Sequence, residues 1–227
     1  MSLFCLVHGS TQSPLGWARL VPELEKRGHR VVCADLPGEP DANGTRYAQA
    51  VAEYLRPNNQ PAIAVAHSVS GIFLPLLPTY CAVSRIVFLA AFVPEIGKSP
   101  MEQLQANPEM FWTDWIGKDP TKDDAVAMQY LFHDCDPKTA AWALTTRRLM
   151  VARRALTEAC LLKSWPDVPV SYILCQEDRT LRPDYWRKKV RSQLNTDPIE
   201  LAGGHCPHVS RPGELADVLS EIGKAAE

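Results

Sequence analysis

No run of basic residues, no long apolar segment and no paired-cysteine motif occurs in this chain of 227 residues. Each absence removes a class of function. Binding to nucleic acid or to an anionic membrane needs clustered Lys and Arg to displace counterions or meet headgroups. Here 24 Lys and Arg stand against 26 Asp and Glu, for a net charge of −2. The basic pairs Arg147–Arg148 and Arg153–Arg154 read as a solvated helix face. The longest uninterrupted apolar stretch, Ile86 to Pro94, falls far short of the roughly 18 residues a membrane span needs. Seven cysteines (5, 33, 81, 135, 160, 175 and 206) are an odd number without a C-x-x-C. Several lie in apolar runs where a thiol packs as a small hydrophobe, so neither a disulfide framework nor a zinc site is expected. Met1–Val7 lacks a basic n-region and runs straight into His8-Gly9; it reads as a strand and not a signal peptide, which points to a cytoplasmic location.

What is present is an ordinary globular composition, 46% apolar and 22% charged, of a length that suits one large domain or one domain with an insertion. Short apolar runs punctuated by Gly, Pro or Asp alternate with helical patterns, the signature of a mostly parallel sheet covered on both faces. Six strands are expected, at Leu3–Val7, Arg30–Ala34, Ala62–Ala66, Arg85–Phe92, Val170–Cys175 and Ile199–Ala202. Helices are expected over Trp17–Gly28, Tyr47–Leu55, just after Ser68, Asp184–Leu194 and Pro212–Ala226. Residues 95–167 break the alternation with helical patterns at Asp123–Phe132, Pro137–Thr146 and Arg154–Leu162 and no good strand. We read them as an inserted helical lid on a core made of 1–94 and 168–227. Its aromatics, Phe111, Trp112, Trp115, Phe132 and Trp142, either pack the lid's own core or line a pocket.

Three polar residues fall where such a sheet exposes its loops. Ser68 follows the buried run 62–66 and enters a helix through small residues. A serine on a sharp strand-to-helix turn needs small neighbours two positions away on each side, because the turn drives its φ positive. The pentapeptide is Ala66-His67-Ser68-Val69-Ser70, small at both places although neither is glycine. Asp178 closes the run from Val170, and His205 follows Gly203-Gly204 after the next run. Taken singly, these are a strand serine, a helix N-cap and a turn histidine. Taken together, they supply a nucleophile, a base to accept its proton and a carboxylate to orient the base, in the chain order of an α/β-hydrolase sheet. The amides of Val69 and of Ser10, in the loop His8-Gly9-Ser10, are the candidate oxyanion donors. His8 and His67 read as structural, and Cys206 and His208 as packing beside the base.

The segments Leu6-Val7-His8-Gly9, Ala34-Asp35-Leu36-Pro37-Gly38, Ala66-His67-Ser68, Val87 to Pro94, Cys175-Gln176-Glu177-Asp178 and Gly204-His205 resemble the α/β-hydrolase superfamily. The closer resemblance is to its branch of small esterases, which includes plant methylesterases and hydroxynitrile lyases. It implies Ser68 as nucleophile, Asp178 as acid, His205 as base, and Ser10 and Val69 as oxyanion donors. Lyase members carry a threonine where this chain has Gly9 and a lysine where it has Cys206, so ester hydrolysis is favoured over cyanohydrin cleavage. The expectation is a serine hydrolase without metal or cofactor. It would cleave a carboxylic ester of a small to medium hydrophobic compound through an acyl-enzyme. The alternatives are a cofactor-free lyase, cyclase or acyl transferase using His205 as base, or a ligand-binding homologue without turnover. Candidate substrate contacts are Gly9, Phe92, Trp112, Trp115, Leu131 and Phe132, and Glu95 is a second candidate for the acid. The expected partner is a small-molecule ester, with no nucleic acid or membrane, for a monomer or homodimer.

Overall fold

Six short strands form one sheet in the order β2-β1-β3-β4-β5-β6, every pair parallel. They are β1 (Leu3–Val7), β2 (Arg30–Ala34), β3 (Ala62–His67), β4 (Val83–Leu89), β5 (Val170–Cys175) and β6 (Ile199–Leu201). The computed structural model describes residues 1–150 and 153–225. Ala226, at the end of the last expected helix, and positions 151 and 152 of the expected lid lie outside the described residues. The helices are α1 (Val21–Lys26), α2 (Gly44–Leu55), α3 (Pro100–Ala106), α4 (Asp124–Tyr130), α5 (Pro137–Thr145), α6 (Arg153–Thr157), α7 (Pro183–Leu194), α8 (Pro207–Ser210) and α9 (Pro212–Lys224).

Side chains alternate between the faces of a strand, and both faces of β1 and β3 are covered, which is why these two read as almost continuous apolar runs. On one face, Leu3, Cys5 and Val7 of β1 belong to a continuous buried cluster that also holds Tyr47 and Val51 of α2 and Trp186 and Val190 of α7. Phe4 and Leu6 point the other way, to Leu24 of α1 and to Leu215 and Leu219 of α9. Each large apolar side chain so buried contributes about 1.5–3 kcal/mol.

The differences from the expected elements have local causes. The stretch before β2 holds a 3-10 turn at Pro14–Trp17 and a shorter α1. After Ser68 the chain forms two 3-10 turns, Ser68–Ile72 and Leu74–Thr79, because Pro75 and Pro78 lack the N–H a continuing α-helix needs. β4 stops at Leu89, since Ala90 takes a positive φ of 41° and turns the chain towards Ser68. The helix α3 was not anticipated. It opens on a capping box, Ser99 and Glu102 bonding each other's backbone N–H, and that motif was visible in Ser-Pro-Met-Glu. Helices α3 to α6 all lie between β4 and β5, where the alternation of strand and helix breaks.

Candidate active site

The strand C-termini bring Ser68, Asp178 and His205 to one place. Ser68 ends β3 with φ 56°, a left-handed conformation that non-glycine residues adopt only when their surroundings impose it. Two close approaches impose it here. A Cβ on Gly9 would come within 2.9 Å of the Ser68 Cβ and 3.1 Å of His67 Nδ1, and one on Gly71 within 2.0 Å of the Phe92 carbonyl oxygen. The Ser70 hydroxyl donates to the His8 carbonyl and ties the elbow to the loop after β1. Phe92 N–H donates to the Ser68 carbonyl at 3.0 Å.

His205 Nε2 lies 3.0 Å from Ser68 Oγ, and Nδ1 lies 2.7 Å from Asp178 Oδ2. A proton on Nδ1 satisfies the carboxylate and leaves Nε2 to accept from the serine. Asp178 and His205 are 4% and 3% exposed, so water does not compete for these bonds. The second carboxylate oxygen, Oδ1, accepts from the N–H groups of Thr180 at 2.7 Å and Leu181 at 3.0 Å. Glu95 is elsewhere: it pairs with Lys98 at 2.7 Å and with Lys189, and Asp178 holds the place it was considered for.

The remaining histidines form a buried framework. His8 donates from Nδ1 to the Gly9 carbonyl at 2.9 Å and accepts at Nε2 from Leu36 N–H at 3.2 Å, fixing the loop after β1. His67 donates from Nε2 to the His205 carbonyl at 2.8 Å. His208 donates to Gln12 Oε1 at 2.9 Å, and Gln12 in turn donates to Cys206 Sγ at 3.4 Å. The His67 ring lies 4.7 Å from those of both His205 and His208, tilted to the first and edge-on to the second. Burial, then repulsion from His205 and His208, holds the His67 pKa well below its ordinary value. Burial, then His205, lowers that of His208 to about 3.

Ser68 opens on a cavity of about 450 Å3 bordered also by Ser10, Val69 and Thr180. Its walls are largely apolar, with Ile72, Phe92, Leu104, Phe111, Trp115 and Leu181 among them. Met101, Ile116 and Leu149 line it too, and these are 39–46% exposed, which places apolar surface at its mouth. Few polar side chains converge on it, the lining expected where a small hydrophobic molecule is held by shape.

Of the six candidate substrate contacts, Phe92 and Trp115 border this cavity, and four do not. Gly9 sits behind Ser68, where its lack of a side chain admits the elbow. Leu131 and Phe132 are fully buried in a separate cluster with Cys206 and Val209. Trp112 faces the acid's turn, with Nε1 donating to the Asp178 carbonyl at 2.8 Å and its backbone N–H to the Thr180 carbonyl at 3.0 Å. Two further residues escaped the sequence reading. Asp134, between α4 and α5, accepts from Gly204 N–H at 2.9 Å next to the base, and no sequence signal marked it. Thr180 was legible in principle, because an Asp two residues before a Thr favours a local side-chain to backbone turn.

Among the described residues, no group of His, Cys, Asp and Glu is arranged to hold a metal ion, and no helix is long and apolar enough to cross a membrane. All seven cysteines are free.

A parallel sheet flanked by helices, with an acid, a histidine and an elbow serine gathered at its strand C-termini, has the architecture of an α/β-sheet hydrolase. The chain belongs to the alpha/beta hydrolase family, an enzyme family whose model matches residues 6–218. It is similar to Methylesterase 7 of Arabidopsis thaliana, with 26% identity over 96% of this chain and 95% of that protein. It is also similar to Salicylic acid-binding protein 2 of Nicotiana tabacum, with 25% identity over 96% of each. Among solved structures, polyneuridine aldehyde esterase superposes with a TM-score of 0.79 over 98% of this chain and 99% of that one, at 20% identity. At that identity, the likeness is one of fold.

Proposed function

We propose that this protein is a serine esterase that cleaves a carboxylic ester of a small to medium hydrophobic compound. The observation that carries the proposal is the connected line from Ser68 Oγ through His205 to Asp178, with steps of 3.0 and 2.7 Å, opening on an apolar cavity of about 450 Å3. The esterase names of similar proteins support the same chemistry.

In the proposed reaction, Ser68 Oγ attacks the acyl carbon while its proton passes to His205 Nε2. The oxyanion of the tetrahedral intermediate is held by the amides of Ser10 and Val69, each such donor being worth about 10²–10³ in rate. The ester C–O bond then breaks and the departing alkoxide takes the proton from His205, leaving Ser68 acylated. Water attacks the acyl group, His205 accepts its proton and returns it to Ser68, and the acid departs. Asp178 keeps the Nδ1 proton in place and stabilises the imidazolium that forms twice in the cycle. Residues 95–167 act as a cap that supplies most of the cavity wall and so selects the ester.

The test is intact mass after exposure to a fluorophosphonate, followed by an ester panel. The wild type is expected to gain a single adduct and the Ser68→Ala variant none, with turnover lower by roughly 10⁴–10⁶ and folding unchanged. An unlabelled, folded wild type, or a Ser68→Ala variant with wild-type turnover, overturns the assignment.

A further inference from the structure

The hydroxyl of Thr180 stands between the acid and the base, and nothing in the fold requires a hydroxyl there. Its Oγ1 lies 3.0 Å from Asp178 Oδ1 and 2.8 Å from His205 Nδ1, while Nδ1 itself lies 2.7 Å from Asp178 Oδ2. The three groups close a ring. A threonine hydroxyl has one proton to give and two lone pairs to offer. It donates to Oδ1 and accepts a share of the Nδ1 proton, which then forks between Oδ2 and Oγ1. Thr180 is 1% exposed, so its hydroxyl is engaged with the protein and not with bulk water. A β-branched side chain has restricted χ1, so this hydroxyl arrives already aimed.

We infer that Thr180 is a positioning residue for His205, holding the imidazole plane and its Nδ1–H tautomer so that Nε2 meets Ser68. This inference rests on the esterase reading of the site. Asp178 by itself offers one acceptor for Nδ1–H and leaves the ring free to tilt about that bond. A second acceptor on the neighbouring residue fixes the tilt. Backbone bonds already fix the acid, since Oδ1 keeps the N–H groups of Thr180 and Leu181 without the hydroxyl, so the hydroxyl's distinct effect falls on the histidine. The turn that carries it is clamped from outside by Trp112, bonded to the carbonyls of Asp178 and Thr180, and by His133 Nε2, which donates to the Glu177 carbonyl at 3.1 Å.

The experiment compares Thr180→Val, which keeps shape and loses the hydroxyl, with Thr180→Ser, which keeps the hydroxyl. Thr180→Ala serves where valine's second methyl is not accommodated. Readouts are the fluorophosphonate labelling rate, kcat and KM on an ester the wild type turns over, and the downfield proton resonance of His205 Nδ1–H. Losing the hydroxyl is expected to lower kcat and labelling by about 10- to 100-fold, the scale of small misplacements of a reacting group. KM should stay within about 3-fold and the Nδ1–H resonance should shift; serine should restore both rate and resonance. In an Asp178→Asn background, Thr180→Val should remove little further activity, because both act through the same ring. Wild-type kcat and resonance in Thr180→Val, or equal losses in the serine and valine variants, overturn the inference, and the esterase reading stands as long as the wild type labels at Ser68. A wild type that fails to label overturns the esterase reading itself and this inference with it.

Discussion

Mild acid is expected to destabilise this fold above the pH range in which carboxylates titrate, and His208 supplies a calculable share. Its ring is fully buried, tilted 4.3 Å from Trp17 and edge-on 4.7 Å from His67, with Nε2 donating to Gln12. A proton on Nδ1 would have no hydrogen-bond acceptor and its charge would be disfavoured by His205. Folding therefore lowers the pKa of His208 to about 3, against about 6.5 in an unfolded chain. Above pH 6.5 both states are neutral and the native contribution is intact. Below it the unfolded chain takes up a proton that the folded chain refuses, so stability falls continuously until pH reaches about 3. At pH 5 the gap is about 1.5 pH units, or about 2 kcal/mol at 1.36 kcal/mol per unit. His67 shifts the same way and adds to the slope. The assay is urea unfolding of the wild type and His208→Gln at pH 7.5 and pH 5.0. Glutamine can still donate to Gln12 but does not titrate, and ionisable groups remote from His208 cancel in the difference, while His67, which His208 touches, is coupled to it. The wild type should lose about 2 kcal/mol more than the variant between the two conditions. Equal losses, within a few tenths of a kcal/mol, would refute the claim that His208 is held neutral by its surroundings.

Two further substitutions test how the elbow is built. In Gly9→Ala the new methyl would sit 2.9 Å from the Ser68 Cβ and 3.1 Å from His67 Nδ1, so stability should drop by about 1–3 kcal/mol. Fluorophosphonate labelling should slow by at least about 10-fold as the serine is displaced, and unchanged labelling would show that the loop can retreat. Ser70→Ala removes the bond to the His8 carbonyl and should lower stability by about 1 kcal/mol, a fall of roughly 2–4 °C in Tm for a domain of this size. Calorimetry showing no change would mean that bond carries no net stability.

The parts of this molecule legible in its sequence are those with a short physical period. β1 and β3 read directly because a strand buried on both faces must be apolar at every position. Asp178 and His205 stood out because each followed a short strand-like run, where a parallel sheet presents its loops. The cap residues carry no such period. Phe132 and Trp115 both belong to the cluster with Val209, but Phe132 is wholly enclosed in it while Trp115 packs on its edge and also borders the cavity. Trp112 was expected at the substrate and instead grips the acid's turn through the polar tip of its indole. Composition identifies a large amphipathic side chain but says nothing of which end is used.

The elbow is where a local rule was broken and the fold supplied a reason. Glycine at position 70 would ease the turn, and serine adds a hydroxymethyl next to a strained residue. That side chain is fully buried and bonds the His8 carbonyl, the residue before Gly9. The same loop is held from its other side by His8, through Leu36 N–H, and by Met150 N–H, which donates to the Ser10 carbonyl at 2.6 Å. The loop that carries the Ser10 N–H is bonded by Ser70 in the turn after β3, by Leu36 just beyond β2 and by Met150 between β4 and β5. Serine in place of glycine thus exchanges backbone freedom at the elbow for a fixed link between the Ser68 turn and the proposed oxyanion loop. It follows that Ser70→Gly, although closer to the usual motif, should loosen the proposed oxyanion site rather than improve it.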